Sequence, residues 1–163
     1  MKGWRPTDWI ALLGAMVALS GYLLHHWQAR RERKMKAFAD SLGAVAAYQE
    51  LPYRIRRRQA SDAPTRGAIA ERISDIQVQV AFHQAWLEIE SEAVADTYCA
   101  LVAAARREAG VHMSTAWAEP VLADDASMSL GNGYASPDTS SARAACLRVM
   151  RSHLRPVRLR RHR

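Results

Sequence analysis

Few residues in this chain have the types and spacing that catalysis or metal binding requires. Two cysteines are present, Cys99 and Cys146, and neither belongs to a Cys-x-x-Cys pair or a Cys/His cluster. We interpret each as a small buried apolar residue rather than a ligand or nucleophile. The sequence also contains no glycine-rich phosphate loop, no HExxH or GxSxG motif and no acidic calcium loop. We therefore expect no metal, no cofactor and no enzymatic activity.

The other titratable candidates have simple interpretations. His25 and His26 lie at the end of an apolar run, residues 9–27. No residues nearby in sequence would complete a metal site with them. His83 falls on a predicted apolar helix face, where we expect a hydrogen-bonded core histidine. Alternating acidic residues cannot share one face of a helix, so a solvated helix end is expected for Glu88, Glu90 and Glu92.

Two basic blocks dominate the formal charge of +7. The first directly follows the apolar run and comprises Arg30, Arg31, Arg33, Lys34 and Lys36. The second, residues 143–163, holds eight arginines and no acidic residue. Within it, four residues recur every three or four positions and would share a helix face: Arg148, Arg151, Arg155 and Arg158. Since a basic residue beside a bilayer gains about 1 kcal/mol from anionic lipids, we predict that both blocks contact anionic lipid headgroups.

Three interpretations of the C-terminal arginine stripe stay open. It can lie on the inner leaflet, serve as a plain solubilising tail, or bind nucleic acid or an acidic protein. Nucleic-acid recognition usually adds aromatic stacking or a known motif, and no aromatic residue follows Tyr134. Lipid contact is therefore favoured, and nucleic acid is the less expected partner.

An apolar run, residues 9–27, precedes the first basic block. Its 19 residues include no Lys, Arg, Asp or Glu, and a helix of this length reaches roughly 28 Å, near the ~30 Å hydrocarbon thickness. Trp9 and Trp27 stand at its ends, where indoles favour the headgroup region. We predict a single transmembrane helix. A cleaved signal peptide would need a small-x-small site after the run, and a buried core helix is rarely apolar on all sides in so small a domain.

The flanks of this run predict its orientation and its partners. Five basic residues follow it and only Lys2 and Arg5 precede it, so the C-terminal domain is expected on the cytoplasmic side of the inner (plasma) membrane. Two unpaired cysteines fit that compartment. Residues at i, i+4 and i+7 form a face of small side chains through which two membrane helices can associate: Gly14, Ala18 and Gly21. A homo-oligomer is one interpretation of this face, and an ordinary Ala- and Gly-rich anchor is the other.

Helical periodicity continues after the run, so the predicted fold class is all-α, with a small antiparallel bundle of three to four helices. The first helix should end or kink before Pro52. Two further helices are expected at about 63–88 and 92–109, the second ending at Gly110 as a C′ glycine. The predicted organisation is a short N-terminal segment 1–8, the transmembrane helix 9–27, a juxtamembrane and bundle region 28–110, a flexible loop 111–136, a C-terminal helix 137–156 and a basic tail 157–163.

This layout resembles the uncharacterised single-pass membrane proteins of high-GC actinobacteria and their mobile elements. The resemblance is carried by the apolar run, by the Arg30-Arg-Glu-Arg-Lys34 sequence and by the Ala-rich stripes of 66–108 and 142–154. It implies a cytoplasmic Ala-rich helical domain behind an anchor and implies no activity. We predict a non-catalytic, membrane-anchored helical protein with a scaffold or protein/lipid interaction role. The alternatives are a phage- or element-encoded small membrane effector of the holin type and a membrane-tethered nucleic-acid binder.

Overall fold

The described part of the chain is entirely helical. The computed structural model describes the backbone of residues 6–122 and 137–154. These residues form five helices: α1 (Pro6–Gln49), α2 (Leu51–Arg56), α3 (Ala63–Glu90), α4 (Glu92–Ala118) and α5 (Pro137–Leu154). The prediction of an all-α fold with a helical bundle is confirmed. The chain divides into two compact units, Met1–Ala37 and Phe38–Arg163, and α1 belongs to both.

The first unit contains the N-terminal part of α1, where the predicted transmembrane helix 9–27 is not supported. Among the described residues, no helix has a segment long and apolar enough to cross a membrane. In the sequence, the apolar run continues to Leu24. His25 and His26 then interrupt the run. All described side chains from Leu13 to Trp27 are exposed.

The second unit is a bundle of four helices around an apolar core. The C-terminal part of α1 contributes Phe38 and Val45, while α3, α4 and α5 each add one face. The predicted helical periodicity is confirmed, since the buried side chains of each helix are spaced three, four or seven residues apart: Ile76, Val80 and Leu87 in α3, Val94, Tyr98, Leu101 and Ala105 in α4, and Cys146 and Met150 in α5. Cys146 is fully buried in this core, as predicted, whereas Cys99 is only partly buried.

Two helix starts follow from local sequence. Pro52 lies in the first turn of α2, and α1 ends at Gln49 just before it, which confirms the predicted break. Asp62 caps α3, because its Oδ1 accepts a 2.9 Å hydrogen bond from the Thr65 amide. That bond lowers the pKa of the Asp62 carboxyl. Ser91 has extended backbone and separates α3 from α4, so the predicted break between these helices is also confirmed.

The predicted end of the fourth helix at Gly110 is wrong, and so is a loop beginning at residue 111. Helix α4 continues to Ala118. Gly110 has no left-handed backbone conformation, so it cannot act as a C′ glycine. The helix continues because residues after Gly110 still pack against the bundle. Ala116 is buried and Met113 contacts the core. The rest of the predicted loop, from residue 123 onward, and the basic tail 157–163 lie outside the described residues.

Candidate functional site

An open cavity of about 520 Å³ lies between α2 and the first turns of α3. Its volume falls in the range of roughly 300–1,000 Å³ typical of small-molecule sites. Four arginines and no acidic residue line it, together with apolar and small polar side chains: Leu51, Arg54, Arg57, Arg58, Gln59, Thr65, Ala68, Ile69 and Arg72. The cavity therefore combines positive charge with apolar surface.

Helical spacing explains how these residues come together. Arg54 and Arg57 are three residues apart at the C-terminal end of α2, so they face the same side. On α3, Thr65, Ile69 and Arg72 follow a spacing of four and three residues and form one face. Because α2 ends at Arg56 and the cap at Asp62 starts α3 at Ala63, only a short segment connects the two helices. This short connection brings the two faces together.

The side chain of Arg58 links the residues that follow α2 to the end of α4. The residue is 5% exposed, and its guanidinium donates hydrogen bonds to the carbonyl oxygens of Ile55 (3.0 Å) and Ala116 (2.8 Å). It also bonds the Glu119 carbonyl and the Ser61 hydroxyl and lies 5.2 Å from the ring centroid of Trp117. Because carbonyls at a helix C-terminus carry partial negative charge, a cation is stabilised there. Arg58 therefore has a structural role beside the cavity.

The basic run Tyr53–Arg58, a single feature in the sequence, is divided by the structure. Arg56 turns to α4 as Arg58 does, with one nitrogen donating to the Pro120 carbonyl at 2.8 Å and another paired with the Glu119 carboxylate. Arg54 and Arg57 instead line the cavity. The three-residue spacing of Arg54 and Arg57 was the available sequence signal. The contribution of Arg72 could not be read from it, because Arg72 belongs to another helix.

The arginines that line the cavity keep most of their positive charge uncompensated. Arg57 lies 3.7 Å from a Glu50 oxygen and Arg72 lies 3.8 Å from an Asp75 oxygen. Both pairs are long and exposed, and such pairs contribute little energy. No acidic side chain in the described part of the chain lies within ion-pair distance of Arg54. These guanidinium groups are accordingly able to bind an anion from solution.

The basic residues predicted to contact lipid are mostly exposed but are not gathered into a pocket. Arg30, Arg31, Arg33 and Lys36 are exposed on α1, and Lys34 is partly buried. On α5, two more are exposed three residues apart, Arg148 and Arg151. Arg155 and Arg158 lie outside the described residues.

The predicted association face also stands open. Gly14, Ala18 and Gly21 are exposed, and a Cβ atom added to either glycine would meet nothing within 4 Å. The face is therefore available for close approach.

The histidines occupy peripheral positions. His26 stacks on Tyr22 with the ring centroids 6.0 Å apart. His83 is partly buried and meets Phe82 edge to face, so the expectation of a core histidine is wrong. Within residues 6–122 and 137–154, no three His, Cys, Asp or Glu side chains are grouped so that they could hold a metal ion.

The cavity lining can bind but offers little for proton transfer. Thr65 supplies the one hydroxyl group of the lining and Gln59 supplies the one carboxamide. Every charged group of the lining is a guanidinium. Guanidinium groups bind carboxylates and phosphates through paired hydrogen bonds. The chemistry of the cavity has to be judged from these residues, because no model of a known protein family, no curated protein and no solved structure matches the chain.

Proposed function

We propose that this chain is a membrane-attached, non-catalytic helical protein. The N-terminal part of α1 inserts into a lipid bilayer, and the bundle is an interaction domain on the cytoplasmic side of the plasma membrane. One observation carries the proposal: large apolar side chains are exposed along this part of α1. Leu13 is 63% exposed and Val17 is 71% exposed, a costly arrangement in water.

The distribution of these side chains around the helix favours a bilayer over a protein groove. At 100° per residue, bulky residues between Leu13 and Leu24 cover about 220° of the circumference, whereas a surface helix of a globular protein has an apolar stripe of roughly 100° or somewhat more. The segment from Trp9 to Trp27 also contains no charged residue, unlike helices that lie flat in the interface. A bilayer meets a helix from every side.

The first basic block supports attachment to an anionic leaflet. Arg30, Arg31 and Arg33 are exposed directly after the apolar segment. The Arg31 guanidinium carbon lies 5.7 Å from the ring centroid of Trp27, which pairs a cation with an indole as the headgroup region favours. Each basic residue near such a surface adds about 1 kcal/mol of attraction. The excess of basic residues after the segment supports a cytoplasmic bundle.

The extent of insertion is the finer part of the proposal. No helix in the described part of the chain is long and apolar enough to cross a bilayer. A single-pass span needs the sequence Trp9-Ile-Ala-Leu12 as well, which extends the segment to roughly 28 Å.

The experiment compares membrane retention of the full chain with that of two variants. In the first, V17R and L24R place two charges on the exposed apolar segment. In the second, V111R places one charge on an equally exposed valine of α4 (65%). We expect the wild type and V111R to float with lipid vesicles and to resist alkaline carbonate extraction, and V17R/L24R to be released. Retention of V17R/L24R, or release of the wild type, would reject the proposal.

A labelling experiment separates a span from shallow insertion. Gly3→Cys introduces a thiol ahead of the apolar segment, and intact cells are treated with a membrane-impermeant maleimide. The native cysteines are poor competitors, since burial raises the pKa of both thiols. Labelling from outside supports the single-pass form. Labelling only after cell lysis contradicts that form while leaving membrane attachment to the flotation result.

A further inference from the structure

We propose that the arginine-lined cavity between α2 and α3 binds an amphiphilic anion, a phosphate group carried on an alkyl chain. The proposal goes beyond membrane attachment and stands without it, since every residue that lines the cavity belongs to the bundle. The phosphate can belong to a monomer taken from water or to a lipid of the bilayer. Both sources present the same chemistry to the site.

The guanidinium groups supply the site for the phosphate. Arg54 lies in α2, Arg57 directly follows α2, and Arg72 lies in α3, so positive charge faces the cavity from two sides. The exposed ion pairs of Arg57 and Arg72, with oxygens 3.7 Å and 3.8 Å away, are longer than a charge-assisted hydrogen bond of about 2.7–2.9 Å. A phosphate can displace them because it offers several acceptor oxygens at shorter range.

Three acidic residues lie next to the cavity and must be counted against this charge. Glu50 and Asp75 are the distant partners of Arg57 and Arg72, and Asp62 accepts the capping bond from Thr65. None of them lines the cavity. The Asp62 carboxylate is directed to the first turn of α3, so the surface that meets a ligand is positive.

Apolar side chains supply the site for an alkyl chain. Leu51 is fully buried, Ile69 is partly buried and Ala68 is exposed, so the apolar lining extends from the core to the surface. A small inorganic anion would leave this surface in water, whereas an alkyl chain covers it and gains roughly 25 cal/mol per Å² of apolar area removed from water. The lining therefore favours an amphiphile over a free anion.

The site is preformed. Arg58 ties the residues after α2 to α4 through the Ala116 carbonyl, and the Asp62 cap fixes the start of α3. Both flanks of the cavity are thus held by bonds that do not involve the ligand. A preformed site loses less conformational freedom on binding, which raises affinity.

The experiment measures binding of radiolabelled octyl phosphate to the full chain in phosphatidylcholine nanodiscs by equilibrium dialysis, with empty nanodiscs subtracted. We expect saturable binding of one octyl phosphate per chain. Inorganic phosphate should compete at least about 10-fold more weakly, because it lacks the chain. Octyl glucoside, which has the chain without the charge, should not compete. Equal competition by octyl glucoside would overturn the proposal, as would an absence of saturable binding.

Two pairs of substitutions locate the binding. R57Q/R72Q removes two cavity charges at exposed positions and should weaken binding about 10-fold or more. The matched control R106Q/R107Q removes two exposed charges from α4, outside the cavity and outside both basic blocks, and should leave binding unchanged. Ile69→Asn should weaken octyl phosphate binding and leave competition by inorganic phosphate unaltered. Thermal unfolding followed by circular dichroism checks that every variant is folded, and wild-type binding by a folded R57Q/R72Q would overturn the proposal.

A final arm identifies the source of the ligand. The dialysis is repeated with nanodiscs that contain phosphatidic acid. Loss of octyl phosphate binding that R106Q/R107Q shares with the wild type supports the site and assigns its ligand to the bilayer. Undiminished binding supports the site and assigns its ligand to the aqueous phase.

Discussion

The guanidinium of Arg58 donates a 2.8 Å hydrogen bond to the backbone carbonyl of Ala116, 58 residues away in the last turn of α4. The same nitrogen bonds the Ile55 carbonyl at 3.0 Å. One side chain therefore joins the end of α2 to the end of α4. It gives the Ala116 carbonyl a donor and adds a second donor to the Ile55 carbonyl, which also accepts the Arg58 amide. It holds one wall of the cavity in place without belonging to the ligand-binding group.

This relationship predicts a strong effect of Arg58→Met on stability. The substitution keeps the aliphatic stem but removes the side-chain bonds to the buried Ala116 carbonyl and to the Glu119 carbonyl, which should lower the free energy of unfolding by about 3 kcal/mol. Arg54→Met, on an exposed side chain beside the same cavity, should change it by less than about 0.5 kcal/mol. Urea unfolding of the full chain in a mild detergent, followed by circular dichroism, measures both. Equal effects of the two substitutions would contradict the structural role of Arg58.

Because the phenol of Tyr98 is buried, we predict that the free energy of unfolding depends on pH in the alkaline range. The Tyr98 hydroxyl donates to the Ser41 carbonyl at 3.2 Å, and burial raises its pKa above the ordinary value of 10.0. In the unfolded chain the phenol ionises near pH 10, while in the folded chain it stays protonated. The folded state then binds more protons, so stability is complete below pH 10 and falls as pH rises above it, by up to about 1.4 kcal/mol per pH unit.

Tyr98→Phe tests this origin. The variant should lose about 1 kcal/mol at neutral pH with the hydrogen bond, and its stability should fall less steeply above pH 10. Burial also raises the pKa of Cys146, so Cys146→Ala is measured in parallel to separate the thiol from the phenol. The same alkaline slope in Tyr98→Phe and in the wild type would assign the pH dependence to another group.

Because Asp62 caps α3 with an ionised carboxylate, we predict that the start of α3 becomes less stable at acid pH. The hydrogen bond of Asp62 with Thr65 lowers the pKa of the carboxyl below 3.8, so its capping contribution is present above that value and is lost as pH falls through the lower folded pKa. Asp62→Ala should therefore speed hydrogen exchange at the Thr65 amide at neutral pH, and Asp62→Asn should restore much of the protection. Asp96→Ala, an exposed acid within α4, is the control and should leave the Thr65 amide unchanged.

Local pattern was sufficient for the bundle and insufficient for the site. Helical periodicity in the sequence was enough to predict the bundle, because positions on one face of a helix repeat about every 3.6 residues. Ile76, Val80 and Leu87 share such a buried face in α3. Arg58 gave no such signal, since its partner Ala116 is a backbone carbonyl far along the chain. Arg57 and Arg72 likewise meet at the cavity only because the chain folds back between α2 and α3. The predicted helix end at Gly110 was wrong, because burial of Ala116 outweighs the local preference of glycine for a helix end.

Gly110→Ala gives the sharpest test of that correction. Gly110 lies within α4, has no left-handed backbone and has open space for a methyl group. Alanine should therefore raise the free energy of unfolding by about 0.5–1 kcal/mol, because glycine loses more conformational freedom in a helix. A C′ glycine would give the opposite sign, since alanine is strained in the left-handed region. Gly67→Ala, another helical glycine with open space in α3, should stabilise the chain similarly. A loss of stability confined to Gly110→Ala would show that α4 ends near that residue in solution.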